Sequence, residues 1–341
     1  MPQIIVENLT KTFHVAERLP GLWGAVRGLA KRTYRGVRAL DGISFEIQPG
    51  ELVGYIGPNG AGKSTTVKTL AGILVPDGGR CEVDGRVPWK DRIAHVGRIG
   101  VVFGQRTQLW WDLPVIESFD LLRDIYRVDE GAYRLARNEM IALLDLEKLL
   151  DVPVRQLSLG QRMRCDIAAA LLHRPPILFL DEPTIGLDAV SKLVVRDFIR
   201  RINRERGVTV ILTTHDMDDI EALCTRVIVI GDGKILSDGT LVDLRARVTR
   251  ERWLTVDLAD DGVAIVDADA TVIRREGQRV CLAFDPQVVS PAELIRRVTS
   301  AHAIRDLFVE NPPIETIIAR LYSNETRPAA CGVADRKSNV S

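Results

Sequence analysis

The feature that most constrains this chain is a nine-residue stretch that holds three glycines and a lysine. It reads Gly57-Pro58-Asn59-Gly60-Ala61-Gly62-Lys63-Ser64-Thr65. The stretch fits the pattern G-x-x-x-x-G-K-[ST], and a run rich in apolar residues, 52–56, precedes it. After it, apolar side chains recur at helical spacing from Val67 to Leu74. Because the pattern is meaningful only between a strand and a helix, this context predicts a phosphate-binding loop.

Each residue type in this phosphate loop (Gly57–Thr65) has a reason in phosphate chemistry. Glycines let successive backbone N–H groups point inward at phosphate oxygens. The start of the following helix adds the positive end of its dipole. Lys63 can reach the β- and γ-phosphates of a nucleotide, and the Ser64 hydroxyl can bind magnesium. The loop alone is compatible with a kinase, a GTPase or an ATPase.

Length, charge, cysteine spacing and the length of apolar runs limit the classes of protein to which this chain can belong. With 341 residues, about two domains are expected. Lys plus Arg (46) equals Asp plus Glu (46), so no nucleic-acid partner is expected from charge. The five cysteines are scattered without a C-x-x-C pair, as is typical of reduced thiols in a cytosol. No window approaches the roughly 20 apolar residues of a membrane helix, and no secretory signal is predicted. We therefore expect a soluble, cytoplasmic protein.

Short apolar runs alternate with helical patterns over residues 1–244, which we interpret as one domain. Ile177–Leu180 is wholly apolar, as expected for a buried parallel strand. Residues 106–170 are rich in helical patterns and predict a helical subdomain. Strands that alternate with helices predict an α/β fold with a mostly parallel sheet covered on both faces.

The pattern changes after residue 244. Apolar and polar residues alternate in short segments, and two helical patterns follow, so residues 245–323 predict a small C-terminal α+β domain. Residues 324–341 are polar and rich in alanine, and we expect a disordered tail.

Residues 14–33 interrupt the strand pattern near the start of the chain, and we interpret them as an insertion. Apolar residues recur there at helical spacing, and basic residues outnumber acidic ones. The segment could lie on an anionic membrane surface. It could equally be a surface insertion that packs on its own domain, and its three glycines, which weaken a helix, favour that alternative.

Two carboxylates follow the strand Ile177–Leu180. The Asp181 side chain should emerge at the carboxyl end of the strand beside the phosphate loop, where a magnesium ligand is expected. Glu182 comes next and is placed to polarise an attacking water. This pair favours nucleotide hydrolysis.

The segment Leu157-Ser158-Leu159-Gly160-Gln161 resembles the L-S-G-G-Q signature of ATP-binding-cassette proteins. The resemblance extends in order over about residues 1–240. It implies that Gln105 belongs to the glutamine loop, which contacts magnesium. It also implies that Asp188, within Gly186-Leu187-Asp188, lies in the loop that crosses a dimer interface, and that His215 is the switch histidine facing the γ-phosphate. Leu159 departs from the family's glycine.

The resemblance also implies a complete set of site residues. Catalysis would use Glu182, His215 and Lys63, and magnesium would be held by Ser64, Gln105 and Asp181. ATP would contact Tyr34, Gly57, Asn59, Gly60, Ala61, Gly62, Lys63, Ser64, Thr65, Gln105, Ser158, Gly160, Gln161 and Asp188. The aromatic under the adenine is assigned to Tyr34, with Phe13 as the alternative.

Cassette proteins work as pairs, so the resemblance implies a homodimer, or a heterodimer with a paralogue. Each ATP would be held between the phosphate loop of one copy and the signature segment (Leu157–Gln161) of the other. The chain looks most like the ATPase subunits of bacterial exporters whose membrane permease is a separate polypeptide. It would then lie peripherally on the inner face of the cell membrane. Trp110 and Trp111 follow the glutamine loop, where such ATPases receive a helix of the membrane subunit, and we expect one of the two in the domain core.

Two alternatives come from other classes of cassette protein. A soluble cassette that acts on ribosomes or DNA usually carries two cassettes or a long coiled coil. This chain has one cassette, with 94 residues between Lys63 and Ser158 and no sustained heptads. A regulatory cassette without catalysis is disfavoured because Lys63, Asp181, Glu182 and His215 are all present.

Overall fold

The computed structural model describes residues 1–16, 34–104, 106–260 and 264–325. The predictions for residues 17–33, for Gln105 and for the tail from residue 326 onward therefore lie outside the described residues. The chain divides into two compact units, Met1–Leu241 and Val242–Ser341.

The first unit contains two sheets. Its strands are β1 (Ile4–Ala16), β2 (Tyr34–Ile47), β3 (Leu52–Ile56), β4 (Gly78–Val83), β5 (Ile99–Phe103), β6 (Ile177–Asp181), β7 (Thr209–Thr213), β8 (Arg226–Gly231) and β9 (Lys234–Thr240). A three-stranded antiparallel sheet has the order β2-β1-β4. A six-stranded sheet has the order β5-β6-β7-β3-β8-β9, in which all neighbours are parallel except β8 and β9.

The helices of the first unit connect these strands. They are α1 (Lys63–Leu70), α2 (Arg92–Val96), α3 (Val115–Tyr126), α4 (Glu130–Leu144), α5 (Leu159–Leu171), α6 (Ala189–Arg206) and α7 (Met217–Leu223), and short 3-10 turns lie at Glu147–Leu149 and Val154–Gln156. Every residue of β3 and β7 is buried, and only the last residue of β6 is not. A parallel sheet with both faces covered requires such continuous apolar strands. The predicted α/β fold class is confirmed.

The first unit's core joins the phosphate loop to the sheet. Tyr55 on β3 is 1% exposed and packs in a cluster with Val67 and Leu70 of α1. Its hydroxyl lies 3.1 Å from Oγ1 of Thr66, which is also buried. The strand before the loop and the helix after it are therefore anchored to each other, which fixes the loop between them.

The strands β1 and β2 extend further than the sequence pattern indicated. Their antiparallel pairing continues to Ala16 and Tyr34, so residues 14–16, which we assigned to the insertion, pair with residues 34–36. The paired ends of β1 and β2, Ala16 and Tyr34, therefore flank the insertion. Backbone hydrogen bonds between neighbouring strands stabilise this extension, and these long-range partners cannot be recognised in the local pattern of side chains.

The second unit is an antiparallel sheet with helices. Its elements are α8 (Leu241–Val248, which begins at the division), β10 (Arg252–Leu258), β11 (Ala270–Glu276), β12 (Arg279–Phe284), α9 (Pro291–Ala301), β13 (Ile304–Glu310) and α10 (Ile314–Glu325). The sheet order is β11-β12-β10-β13. Alternate residues of β10 and β12 enter an apolar core with Leu294 and Val298 of α9. The Ser290 hydroxyl caps α9 by accepting from the backbone N–H of Glu293 at 3.2 Å. In the described part of the chain, we find no helix with the length and apolar character needed to cross a membrane.

Candidate functional site

A cleft of about 780 Å³ lies where four parallel strands of the six-stranded sheet end. Its lining includes Gly57, Asn59, Ser64, Asp181, Glu182 and His215. The residues that follow β3, β5, β6 and β7 meet here because the carboxyl ends of parallel strands share one edge of a sheet. The structure thus brings together residues that the sequence predicted from three separate segments.

The side chain of Lys63 folds against the backbone of its own phosphate loop. Its side chain is 6% exposed, and its ammonium donates to the backbone carbonyls of Gly57 at 2.7 Å and Pro58 at 3.0 Å. Burial lowers the pKa of Lys63 from its usual value, and the carboxylates of Glu182 and Asp181 act in the opposite direction. Both of these loop partners are neutral carbonyls, so an anion entering the loop would gain a largely desolvated cation.

Glycine is required by space at two positions of this loop. A Cβ at Gly57 would lie 2.3 Å from the carbonyl oxygen of Ile230. At Gly62 the backbone has φ +111°, and a Cβ would lie 2.5 Å from the carbonyl oxygen of Ala39. These contacts exclude any side chain, so the loop can pass close to neighbouring strands only with glycine here.

The other loop residues are positioned by the turn itself. Ala61 is buried, and its backbone N–H donates to the carbonyl of Pro58 at 3.2 Å. Asn59 and Gly60 are exposed at the mouth of the loop. Thr65 lies in the first turn of α1, where its carbonyl accepts from the Thr69 hydroxyl at 2.9 Å.

Asp181 lies between two hydroxyl groups. Its Oδ1 accepts from the Thr213 hydroxyl at 2.5 Å and from the Ser64 hydroxyl at 3.4 Å. Hydroxyl and carboxylate oxygens are the hard ligands that Mg²⁺ prefers, so Ser64 and Asp181 fit a magnesium ion. Gln105, the third predicted ligand, lies outside the described residues, while its neighbours Gly104 and Arg106 line the cleft.

Glu182 has an unusual backbone conformation. Its φ is +55°, in the left-handed region that non-glycine residues rarely adopt. Its backbone N–H donates to the carbonyl of Thr213 at 2.9 Å, and a Cβ at Gly104 would lie 2.1 Å from the Glu182 carbonyl oxygen. The close approach of Gly104 therefore depends on the absence of a side chain. Oε1 of Glu182 lies 3.4 Å from Nδ1 of His215, so the two predicted catalytic residues face each other.

The signature segment forms a helix cap away from this cleft. The Ser158 hydroxyl accepts from the backbone N–H of Gln161 at 3.2 Å, and the Gln161 side chain accepts from the backbone N–H of Ser158 at 2.9 Å. A Cβ at Gly160 would lie 2.5 Å from Oγ of Ser191, so α5 and α6 approach closely there. Among the described residues that line the cleft, none belongs to this segment.

Leu159, which replaces a glycine of the family signature, packs close to Gly186. Cδ2 of Leu159 lies 2.9 Å from the position that a Cβ on Gly186 would occupy. Gly186 has φ +70°, so a glycine suits this position both by conformation and by space. Leu159 therefore packs against the segment that ends at Asp188. Asp188 is exposed and caps α6 by accepting from the backbone N–H of Ser191 at 2.9 Å, which lowers its pKa.

The two candidates for the adenine contact lie on the same strand ladder. Tyr34 is 57% exposed and pairs with Ala16 at the start of β2. Phe13 pairs with Val37, and the ammonium of Lys11 lies 5.8 Å from its ring centre. Neither is among the described residues that line the cleft, so both remain predictions.

The expectation that one of the adjacent tryptophans lies in the core is wrong. Trp110 is 38% exposed and Trp111 is 51% exposed. The guanidinium of Arg162, on α5, lies 5.6 Å from the ring of Trp111. The two rings thus form an exposed aromatic surface just after the cleft residue Arg106.

Sequence reasoning missed two groups at the site. Thr213 ends β7 and is paired in register with Asp181 of β6, a contact that follows only from the order of strands. Gly104, directly before Gln105, carries the closest backbone approach to Glu182. A glycine between a predicted strand and the glutamine loop was the signal available for the second.

Known proteins share this architecture. The family profile described as "ABC transporter" matches residues 40–185. The linearmycin resistance ATP-binding protein LnrL of Bacillus subtilis (strain 168) is 30% identical over 307 residues, which cover 87% of this chain and 97% of that protein. The chain belongs to the ABC transporter family. It is an ATP-binding and ATP-hydrolysing subunit of this family.

Two further comparisons agree with this membership. A Nod factor export ATP-binding protein I of Ralstonia nicotianae is 31% identical over 318 residues, covering 89% of the cassette chain and 94% of that protein. A solved dimeric ATP-binding cassette in a post-hydrolysis state, bound to ADP and phosphate, is 28% identical with a TM-score of 0.58. That match covers 70% of this chain and 98% of the solved one. These comparisons give no support to the alternative of a cassette acting on ribosomes or DNA.

Proposed function

We propose that this cassette binds ATP with Mg²⁺ at the phosphate loop, hydrolyses it through Glu182 and His215, and so powers export by a separate membrane subunit. The observation that carries the proposal is the meeting of Ser64, Asp181, Glu182 and His215 at one cleft. Burial lowers the pKa of Lys63, which lies close enough to the carboxylates of Glu182 and Asp181 for them to act in the opposite direction. Cation, carboxylates and imidazole there match the needs of phosphoryl transfer, in which positioning and charge stabilisation dominate.

Each group has a distinct task in this proposal. Lys63 would exchange its carbonyl partners for the β- and γ-phosphate oxygens. Ser64 and Asp181, with Gln105, would hold Mg²⁺, which neutralises charge on the phosphates when bound. Glu182 would accept a hydrogen bond from the attacking water and orient it. His215, whose Nδ1 lies 3.4 Å from Glu182, would hold this carboxylate and face the γ-phosphate.

The complete site would need two copies of the chain or one copy with a paralogue. Ser158, Gly160 and Gln161 lie at the N-terminal end of α5, where the positive end of the helix dipole favours an anion. In the described part of the chain, the cleft is lined without these three residues. We therefore assign them to the ATP that a partner copy binds. The dimeric solved cassette supports this arrangement.

The partner that uses the ATP would be an integral membrane permease. The relatives named above serve linearmycin resistance and Nod factor export, which supports export as the direction of transport. Exposed aromatic rings are favoured anchors of protein interfaces, and we assign Trp110 and Trp111 to the permease contact. The cassette would accordingly lie on the cytoplasmic face of the membrane.

The experiment is co-purification with the membrane protein encoded beside the gene, combined with ATPase assays. Trp111→Ala should retain ATP binding and lose association with the permease, because it removes a half-exposed anchor. Val266→Ala is the control, since Val266 is 89% exposed in the other unit. Equal co-purification of both variants with the parent would remove Trp111 from the interface. An inability of the parent to hydrolyse ATP would refute the catalytic assignment.

A further inference from the structure

A carboxylate behind the catalytic residues is completely buried. Asp219, on α7, has no exposed side-chain surface. Its Oδ1 accepts from Nε of Arg196 at 2.5 Å. Its Oδ2 accepts from the hydroxyl of Thr184, and that of Thr214 lies 3.4 Å away. A buried charge is tolerated only with hydrogen-bonding partners, and the Asp219 carboxylate has three donors.

The two hydroxyl donors to Asp219 come from the two segments that carry the catalytic residues. Thr184 stands two residues after Glu182, and Thr214 stands directly before His215. One carboxylate therefore holds both segments at once. Any shift of Asp219 would change the spacing between the Glu182 carboxylate and the His215 ring.

A second carboxylate strengthens the connection on the far side of His215. Asp216 forms an ion pair with Lys192 and lies 3.7 Å from Nη2 of Arg196. It also caps α7 by accepting from the backbone N–H of Asp218 at 3.1 Å. Lys192 and Arg196 are four residues apart on α6, so they share one face of that helix.

The backbone of Glu182 gives a reason for this arrangement. Its φ of +55° is a conformation that persists only where the surroundings over-determine it. On one side, the Glu182 backbone is fixed by Thr213, as described above. On the other side, Thr184, two residues after Glu182, donates its hydroxyl to Asp219 on α7.

We propose that Asp219 is a positioning residue that sets the distance between Glu182 and His215. Its ion pair with Arg196 makes this distance depend on the position of α6. The inference rests on the proposed function, because it assigns a support to those two catalytic residues. Asp188 caps the N-terminal end of helix α6, so a displacement of the Asp188 segment reaches His215 through Lys192, Arg196 and the two carboxylates.

The first test uses Asp219→Asn and Thr184→Val. Asp219→Asn removes the charge without changing shape, and kcat should fall about 10²-fold, the cost of a small misplacement at a reacting centre. Thr184→Val removes a single hydroxyl, and kcat should fall about tenfold, the loss of one charge-assisted hydrogen bond. ATP affinity should stay at the parent's value in both, because the phosphate loop is untouched. Arg201→Gln is the matched control, since its pair with Glu205 lies on the exposed surface of α6.

The second test separates positioning from a merely structural role. Each substitution is combined with His215→Ala, and the rate constant of hydrolysis is measured in single-turnover experiments, which record the slow residual reaction. If Asp219 acts through the placement of His215, adding Asp219→Asn or Thr184→Val to His215→Ala should reduce kcat no further. Multiplied losses in the double variants, or single variants with the parent's kcat, would overturn the positioning role. Where Asp219→Asn does not fold, Thr184→Val decides the matter alone.

These outcomes are distinguishable from a failure of the proposed function. If the parent does not hydrolyse ATP, or His215→Ala keeps full activity, the catalytic assignment falls and the positioning role falls with it. If His215→Ala hydrolyses ATP much more slowly than the parent while Thr184→Val and Asp219→Asn match the Arg201→Gln control, only the positioning role is refuted.

Discussion

Asp166 on α5 offers a quantitative test of how the helical part packs on the segment after the glutamine loop. Its side chain is buried, and Oδ1 accepts from the Thr107 hydroxyl at 2.8 Å and the Gln108 backbone N–H at 3.0 Å. Burial raises the pKa of the Asp166 carboxyl from the usual 3.8 to about 6, although these hydrogen bonds act in the opposite direction. Asp166→Asn keeps an oxygen acceptor in the same place and cannot ionise.

The sign and size of the effect follow from linkage. Because the pKa is higher in the folded state, the native protein retains a proton on Asp166 that the unfolded chain has lost. The stability gained in this way is complete below the unfolded pKa and is lost as pH rises through about 6. The full contribution is about 3 kcal/mol, and about 2 kcal/mol of it disappears between about pH 4.5 and 7. Relative to the parent, Asp166→Asn should therefore become about 2 kcal/mol more stable over this interval.

Urea unfolding of parent and Asp166→Asn, in steps from about pH 4.5 to 7, measures this difference with other titrating groups cancelled. As a control, the series is repeated in about 1 M salt, which screens surface charges and leaves a burial effect nearly unchanged. A difference in unfolding free energy that stays constant with pH would refute the claim that burial perturbs Asp166. So would a difference that disappears in high salt.

Three further substitutions test separate parts of the ATP site. Lys63→Ala should abolish ATP binding in equilibrium dialysis, because the phosphates lose their charged partner; retained affinity would contradict the role of the loop. Ser158→Arg should leave ATP binding intact and prevent the ATP-dependent dimer in light scattering, whereas a normal dimer would exclude the head-to-tail arrangement. Gly104→Ala should lower both ATPase activity and thermal stability, by about 1–3 kcal/mol for overpacking, because its Cβ would lie 2.1 Å from the Glu182 carbonyl oxygen; unchanged values for both would show that the close approach is not required.

Local patterns in the sequence were sufficient for the central elements. The wholly apolar run Ile177–Leu180 predicted a buried strand, and the structure has the strand Ile177–Asp181. The phosphate loop was likewise predicted between strand β3 and helix α1. Both predictions rest on periodicity and on residue types with strong conformational preferences, which are properties of contiguous residues.

These local patterns could not predict contacts between residues that are far apart in the chain. Thr213 contacts Asp181 because β6 and β7 are neighbours in the sheet, although 32 positions separate the two residues in the chain. The burial of Asp219 and the positive φ of Glu182 are equally consequences of tertiary packing. Hydrophobic type also misled the prediction that either Trp110 or Trp111 lies in the core, since a large apolar side chain can serve an interface as well as a core.

In the proposed mechanism, Glu182 orients the attacking water at an ATP site that a second chain completes. Glu182→Gln keeps the size and one oxygen of the side chain and removes its charge, so ATP should still bind. The measurement is hydrolysis together with light scattering of the purified Glu182→Gln variant in ATP. We expect hydrolysis to fall by about 10²-fold or more and a stable ATP-bound dimer to form. Turnover close to that of the parent would exclude Glu182 from this role.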